Sequence, residues 1–269
     1  MKKTQHVMGS HDQPACAGVS GFREAVTQGA QYVWILNNDT VVDCRALGYL
    51  VERMSLDHTI GLCGCTLLEY LDPHLVQAAS GAHYDYRTTR TKNCGRGLTA
   101  NARLDTCRVE KSITYVAGAS VMAIRAYLQD VGLMNECYFL YFEELDWAIW
   151  GKRRGFQLGY ASDALVYHKQ GASTGSKESN LLPLPCAQYF YARNLLLMTA
   201  SFYRPWYFLI WMKIMGTAVK YFLMGHLVLA KATCLGVLNL GLAEDLDHVR
   251  DRLSSDGSPV RGRQTGWRN

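Results

Sequence analysis

The chain is predicted to fold as an α/β layer protein with a partly parallel sheet, followed by a helical C-terminal part. Three observations carry that expectation. Short apolar strands alternate with helical stretches along residues 15–168, the helical pattern takes over from residue 185, and the composition is that of a folded chain. With 269 residues, of which 49% are hydrophobic, there is material for a sizeable core. The 6 prolines are too few for collagen-like, mucin-like or disordered classes.

Residues 1–13 (MKKTQHVMGSHDQ) are polar and patternless, without the apolar run of a secretory signal, and are expected to be disordered. Residues 15–29 read as a helix closed near Gly29, and QYVWIL at 31–36 as a buried strand. That strand runs into the polar turn Asn37-Asn38-Asp39-Thr40, then a helix over 44–56 and a second strand, IGLCGCTL, at 60–67. Residues 69–111 turn polar, with Arg and aromatic residues interleaved, and are expected to form a long loop or small hairpins. Residues 112–124 are strand-like around Gly118, and the aromatic run to 142 leads into a helix over 143–154 that Gly155 ends. Two short strands, 157–160 and 164–167, flank a turn at Ser162-Asp163. Beyond a Gly/Ser-rich linker at 171–179, helices are expected over 185–200, 205–230 and 232–246. The expected organisation is a disordered 1–13, an α/β domain over 14–180, a helical region over 181–248 and a disordered basic tail over 249–269.

The net charge of +5 is unevenly placed. Residues 1–180 carry 18 basic and 18 acidic side chains, whereas 181–269 carry 10 and 5. Residues 181–241 hold five basic side chains and no acidic one, among many aromatic and aliphatic residues, the signature of a surface for an anionic membrane. Charge-free runs reach only 14 residues, short of the roughly 18–20 a spanning helix needs. In one continuous helix Lys213, Lys220 and Lys231 would line a single stripe, being 7 and 11 residues apart. Gly216 and Gly225 could break it, and an ordinary packed helical region is the other reading. Nucleic-acid binding is not expected, because the cations are sparse and isolated. The 9 cysteines are scattered without a pair of CxxC knuckles and read as reduced core residues of a cytosolic protein.

Three constellations hold candidate chemistry. Asp39 follows an apolar strand, so its carboxylate falls at the C-terminal edge of a sheet, where ligands bind in open α/β folds; Asn and Asp are also ordinary turn and cap residues. Glu143, Glu144 and Asp146 cluster at a helix start after an aromatic run. There the helix dipole favours acids, while aromatic walls would raise a carboxyl pKa toward general-base use. His168 closes the strand at 164–167, as a structural residue or a ligand.

In order, GFREAVTQGAQYVWILNNDTVVD and ITYVAGASVMAIRAYLQDVGLMNECYFLYFEELDWAIWGKRRGFQLGYASDALVYHK closely resemble glycosyltransferase family 2. The likeness is to its bacterial rhamnosyltransferase-like members, of GT-A fold, and covers residues 15–179. It implies an inverting transfer of a hexosyl or rhamnosyl group from a nucleotide-sugar donor to a lipid-linked or cell-surface glycan acceptor. Asn37-Asn38-Asp39 stands where the family has its DxD-type motif, with Asn37 in place of the first Asp. Asp39 is then a ligand for Mg²⁺ or Mn²⁺ on the donor diphosphate, and His168 resembles a second metal ligand. Glu144 matches the base, beside Glu143, with Glu where the family has Asp; Gly118 matches a segment near the donor sugar, and Asp146 is grouped with the donor-binding residues. LPLPCAQYFYARNLLLM resembles the segment following the catalytic domain, with Tyr191 and Arg193-Asn194 matching, and implies amphipathic helices that dock peripherally on the cytoplasmic face of the membrane.

Family members begin with an apolar β-α-β portion that holds the nucleotide, and the 13 polar residues here cannot replace it. The expectation is therefore an N-terminally truncated GT-A domain. A membrane-attached pseudo-transferase without turnover is the competing reading.

Overall fold

The computed structural model describes residue 25, residues 27–169 and residues 182–238. The expectations for 1–13, for most of the helix at 15–29, for the linker at 171–179 and for the tail lie outside these. Ala25 and Thr27 are helical and Gly29 follows at φ 82°, a backbone conformation open to glycine.

The fold is a mixed α/β arrangement. One six-stranded sheet has the order β1-β8-β3-β9-β2, with β4 added beside β3, and a smaller antiparallel sheet has the order β6-β5-β7. The strands are β1 Tyr32–Leu36, β2 Thr40–Val42, β3 Ile60–Glu69, β4 Val76–Ala79, β5 Gly81–Asp85, β6 Arg90–Asn93, β7 Tyr115–Val116, β8 Ser120–Ile124 and β9 Gln157–His168. Between and after them come α1 Ala46–Leu56, α2 Thr106–Ser112, α3 Arg125–Asp130, α4 Glu143–Arg153, α5 Pro185–Phe202, α6 Tyr207–Leu223 and α7 Leu227–Leu238. In the large sheet β3 and β9 are parallel and the other pairings antiparallel. The C-terminal ends of β1, β3 and β9 therefore share one edge.

The central strand β3 is buried along nearly its whole length, and its side chains alternate between two cores. Cys63, Cys65 and Leu67 face α1, which presents Ala46, Leu50 and Met54 at helical spacing. Leu62 faces the opposite layer with Val121, Tyr127, Trp147 and Tyr160. A third core joins α5 and α6 to the α/β layer through Tyr84, Tyr138, Leu145, Leu195 and Ile214. The 8 described cysteines are free, and burial pushes the Cys65 thiol up to about 12, as suits an inert core residue.

Several boundaries differ from expectation for identifiable reasons. The stretch 112–124 is not one strand: β7 pairs in the small sheet, β8 in the large one, and the chain crosses between them at Ala117-Gly118-Ala119. The two strands 157–160 and 164–167 are one, because β9 absorbs Ser162-Asp163 as a bulge where its register against β3 jumps from Ala161 to Leu165. The polar region 69–111 contains β4, β5, β6 and α2, the last capped by Asp105, whose carboxylate accepts from the Cys107 and Arg108 N–H groups. The helix expected at 205–230 breaks at Gly225, φ 79°. There the His226 and Gly225 N–H groups return to the carbonyls of Tyr221 and Phe222, a Schellman ending. Lys213 and Lys220 thus lie on α6 and Lys231 on α7, so the single lysine stripe does not form. Lys213 is also engaged, donating to the Thr88 carbonyl and the Thr89 hydroxyl.

Candidate functional site

The expected site residues fall into two groups at one end of the large sheet. The turn Asn37-Asn38-Asp39 joins β1 to β2, and Thr40 pairs with His168 across β2 and β9. That pairing sets Asp39 beside the end of β9, where the Lys169 N–H donates to the Asp39 carbonyl. The Asn37 N–H donates to the Ala119 carbonyl, which ties the turn to the Gly118 crossing; the Asn37 and Asn38 residues are exposed.

His168 Nε2 lies 3.2 Å from Asp39 Oδ1, with both side chains largely buried. The ring's other nitrogen fixes what this contact is. Gln77 on β4 donates its amide to the Glu69 carboxylate at 3.1 Å, and a carboxylate only accepts. The Gln77 carbonyl therefore faces His168 Nδ1, 2.7 Å away, and must receive a proton from it. In a neutral ring Nε2 then carries a lone pair, aimed at an Asp39 oxygen that has no hydrogen-bond donor among the described residues. Two acceptor atoms so placed repel unless positive charge sits between them, either a proton on Nε2 or a metal ion.

Their separation fits a metal: neighbouring ligands of an octahedral Mg²⁺ or Mn²⁺, each about 2.1 Å from the ion, lie about 3 Å apart. Among the described residues no group of three or more His, Cys, Asp or Glu side chains could hold an ion. Asp39 and His168 could supply two ligands to such an ion, with the remaining coordination positions left to phosphate oxygens and water.

The second group is at the start of α4. Glu144 packs its carboxylate on Gly118 so closely that a Cβ there would stand 2.0 Å from Oε1. The Gly118 N–H and the Glu144 N–H both donate to this carboxylate and favour its charged form, but burial outweighs them and raises its pKa. Glu143 is raised further, by burial first and by the adjacent Glu144 charge second, and its Oε2 is buried without a hydrogen-bond partner among the described residues. The two carboxyls thus disfavour ionising together, burial being the larger cause and their mutual charge the smaller. Tyr115 on β7 faces them: burial, then the Glu144 and Glu143 charges, push its phenol up.

Asp146 lies in the first turn of α4, three residues after Glu143. At 1% exposure it lies inside α4's packing, accepting from the Tyr138 hydroxyl at 3.3 Å. Residues not singled out from the sequence complete the site: Gln77 and Glu69 behind His168, and Tyr115 beside the acids. Gln77 did carry a signal, being a polar side chain within the apolar run VQAA. Its partner could not be read, since β4 meets β9's end only through β3.

No family model and no curated protein matches the chain. Among solved structures it is similar to GalNAc-T7 with UDP, GalNAc and Mn²⁺, at 15% identity and a TM-score of 0.40. That likeness covers 55% of this chain and 29% of the other, under a third of its length. At that level the site has to be judged on its own residues.

Proposed function

We propose that the chain is a glycosyltransferase catalytic unit of GT-A type, transferring a hexosyl or rhamnosyl group from a nucleotide-sugar donor to a lipid-linked glycan. The observation that carries this reading is the coexistence, at one sheet edge, of the facing acceptor atoms of Asp39 and His168 with the Glu144 carboxylate wedged on Gly118. Asp39 Oδ1 and His168 Nε2 would hold Mg²⁺ or Mn²⁺, which supplies charge neutralisation on the leaving diphosphate. Glu144 accepts the proton of the acceptor hydroxyl as that oxygen bonds to the anomeric carbon. The bond from that carbon to the diphosphate breaks in the same step, and the nucleoside diphosphate leaves with its electron pair. Attack from the face opposite the leaving group inverts the anomeric centre. A raised carboxyl pKa suits a base working near neutrality, since it brings proton affinity closer to the task. The exposed turn at Asn37-Asn38 leaves room for the donor's diphosphate, and the side-chain-free Gly118 leaves room for the Glu144 carboxylate.

The helical part supports a peripheral membrane seat. At about 100° per residue, Phe208, Met212, Val219, Phe222 and Leu223 occupy one side of α6, with Lys213 and Lys220 about 110° round on one flank, while Ile210, Ile214 and Ala218 face the protein. The outer side is wet: Phe222 is 62% and Leu223 78% exposed. Among the described residues no helix is long and apolar enough to cross a membrane.

The test is direct. Mn²⁺ binding measured calorimetrically should be lost in Asp39→Ala and kept in Glu144→Gln, while Glu144→Gln should lose transfer by about 10²–10⁴-fold. Undiminished transfer in Glu144→Gln, or unchanged Mn²⁺ binding in Asp39→Ala, would overturn the assignments. Metal and donor binding without turnover by the parent chain would leave it a pseudo-transferase.

A further inference from the structure

The helix bearing Glu143 and Glu144 is delivered by backbone that L side chains rarely adopt. Phe139, Tyr141 and Phe142 have φ of 57°, 69° and 74°, and none is glycine. At Phe139, ψ is −48° and the Leu140 N–H turns back to the Tyr138 carbonyl, the strained form of γ-turn. Phe142, in the left-handed region, is the residue from which α4 starts, and no side chain caps that start. Bulky residues keep such conformations only where the surroundings over-determine them.

What surrounds this loop is one turn of α5. Asn194 is fully buried, at 0% exposure. Its Nδ2 donates to the carbonyls of Tyr138 and Leu140, each at 2.6 Å, and lies 3.3 Å from that of Tyr141. Its Oδ1 accepts from Arg193 Nη1 at 2.8 Å, and the same nitrogen reaches the Cys137 carbonyl at 2.8 Å. The amide cannot be reversed, because a guanidinium only donates and carbonyls only accept. Two consecutive residues of α5 thus hold four of the five carbonyls between Cys137 and Tyr141. The adjacent turn adds ring contacts, Phe190 on Phe139 at 4.9 Å and Tyr191 on Phe142 at 5.8 Å.

We propose that Asn194, with Arg193 behind it, is a positioning residue: it clamps the strained loop 138–142 so that α4 starts where Glu144 meets Gly118. The C-terminal helices are on this view a working part of the active centre and not only its membrane seat. A loop that needed no clamp would have little reason to meet a buried amide whose donors are all turned on its carbonyls. The consequence for catalysis rests on the transferase reading above; the clamp itself does not.

The test pairs two readouts on the full chain. Asn194→Asp keeps size and shape but turns an oxygen on the loop carbonyls, and Arg193→Met removes the supporting donor should the first variant fail to fold. In hydrogen–deuterium exchange, amides of 138–146 should exchange at least about tenfold faster while those of β3 and β9 change less than about twofold. Adding Tyr141→Gly, which tolerates the left-handed backbone, should restore part of the protection. In a transfer assay kcat should fall at least about tenfold with the donor KM within about threefold, and Tyr141→Gly should recover part of kcat. Unchanged exchange at 138–146 in the folded variant, or an equal rise across β3 and β9 without rescue by glycine, would overturn the clamp. The exchange pattern with no turnover by the parent chain would uphold the clamp and sink the transferase reading instead.

Discussion

Replacing Gly118 by alanine is the sharpest probe of the acid pair. Gly118 is not in the left-handed region, so the substitution strains no backbone, and its effect comes from the added methyl alone. That methyl would stand 2.0 Å from Glu144 Oε1, 2.9 Å from Cδ and 3.1 Å from Cγ. The shortest of these falls more than an ångström short of ordinary contact, and Glu144 must retreat by that much. A misplacement of about 1 Å at a reacting group costs on the order of 10²-fold in rate, or about 2.7 kcal/mol of barrier. The retreat also breaks the hydrogen bond from the Gly118 N–H, which now favours the charged form. Glu144's pKa should therefore rise further in the variant. Because a general base works deprotonated, activity appears as pH rises through that pKa, and the acidic limb of the rate profile should shift to higher pH. The assay is release of nucleoside diphosphate from the donor, with acceptor present, across about pH 5–9. Gly48→Ala on α1 is the control: its Cβ would meet nothing within 4 Å, and the change should leave rate and limb alone while stabilising by about 0.5–1 kcal/mol. Gly118→Ala within about threefold of the parent rate, with an unshifted limb, would refute the placement of Glu144.

Two further outcomes follow from the same physics. Glu143's pKa is raised well above 4.5 by burial and by Glu144, so its contribution to stability is full below about pH 4.5 and is lost as pH rises through the folded value. Glu143→Gln should accordingly gain melting temperature on the parent as pH goes from about 5 to 8, and a gap that narrows would contradict the burial argument. On the outer side of α6, Phe222→Asp with Leu223→Asp should abolish co-sedimentation with vesicles containing anionic phosphatidylglycerol, leave melting temperature within about 2 °C, and leave Mn²⁺ binding intact. Retained sedimentation, or sedimentation of the parent equally with neutral vesicles, would count against an anionic membrane seat.

The parts of the fold legible in the sequence were those whose signal is local. QYVWIL, IGLCGCTL and the helix opening at Glu143 follow from apolar runs, a polar turn and Gly155, and each forms close to its expected bounds. What escaped depends on pairing between distant segments. The apolar alternation of 112–124 is the same whether one strand or two form, and only the partners, β5 for Tyr115–Val116 and β3 with β1 for Ser120–Ile124, split it. Ser162-Asp163 has turn composition, yet β3 runs beside it long enough to keep both flanks in register, so the turn survives only as a bulge. Likewise Asp39 and His168 were visible as strand-end residues, and their juxtaposition is a product of the β2–β9 pairing.

In the C-terminal helices composition is local and arrangement is not. Their apolar and basic composition is plain, but a stripe of three lysines needs one helix, and Gly225 supplies a Schellman ending that folds α7 back against α5. Once the stripe is gone, Lys213 turns inward to the β5–β6 connection, and the proposed membrane seat is reduced to the apolar side of α6 with its remaining cation, Lys220. That inward turn matters for the acids as well. Lys213 fixes α6 to Thr88 and Thr89, α6 packs on α5 through Ile210 and Ile214, and α5 carries Asn194 to the loop ahead of Glu143. A polar pattern that is surplus on a free amphipathic helix is accounted for when that helix also backs α5, which holds the loop ahead of the acids.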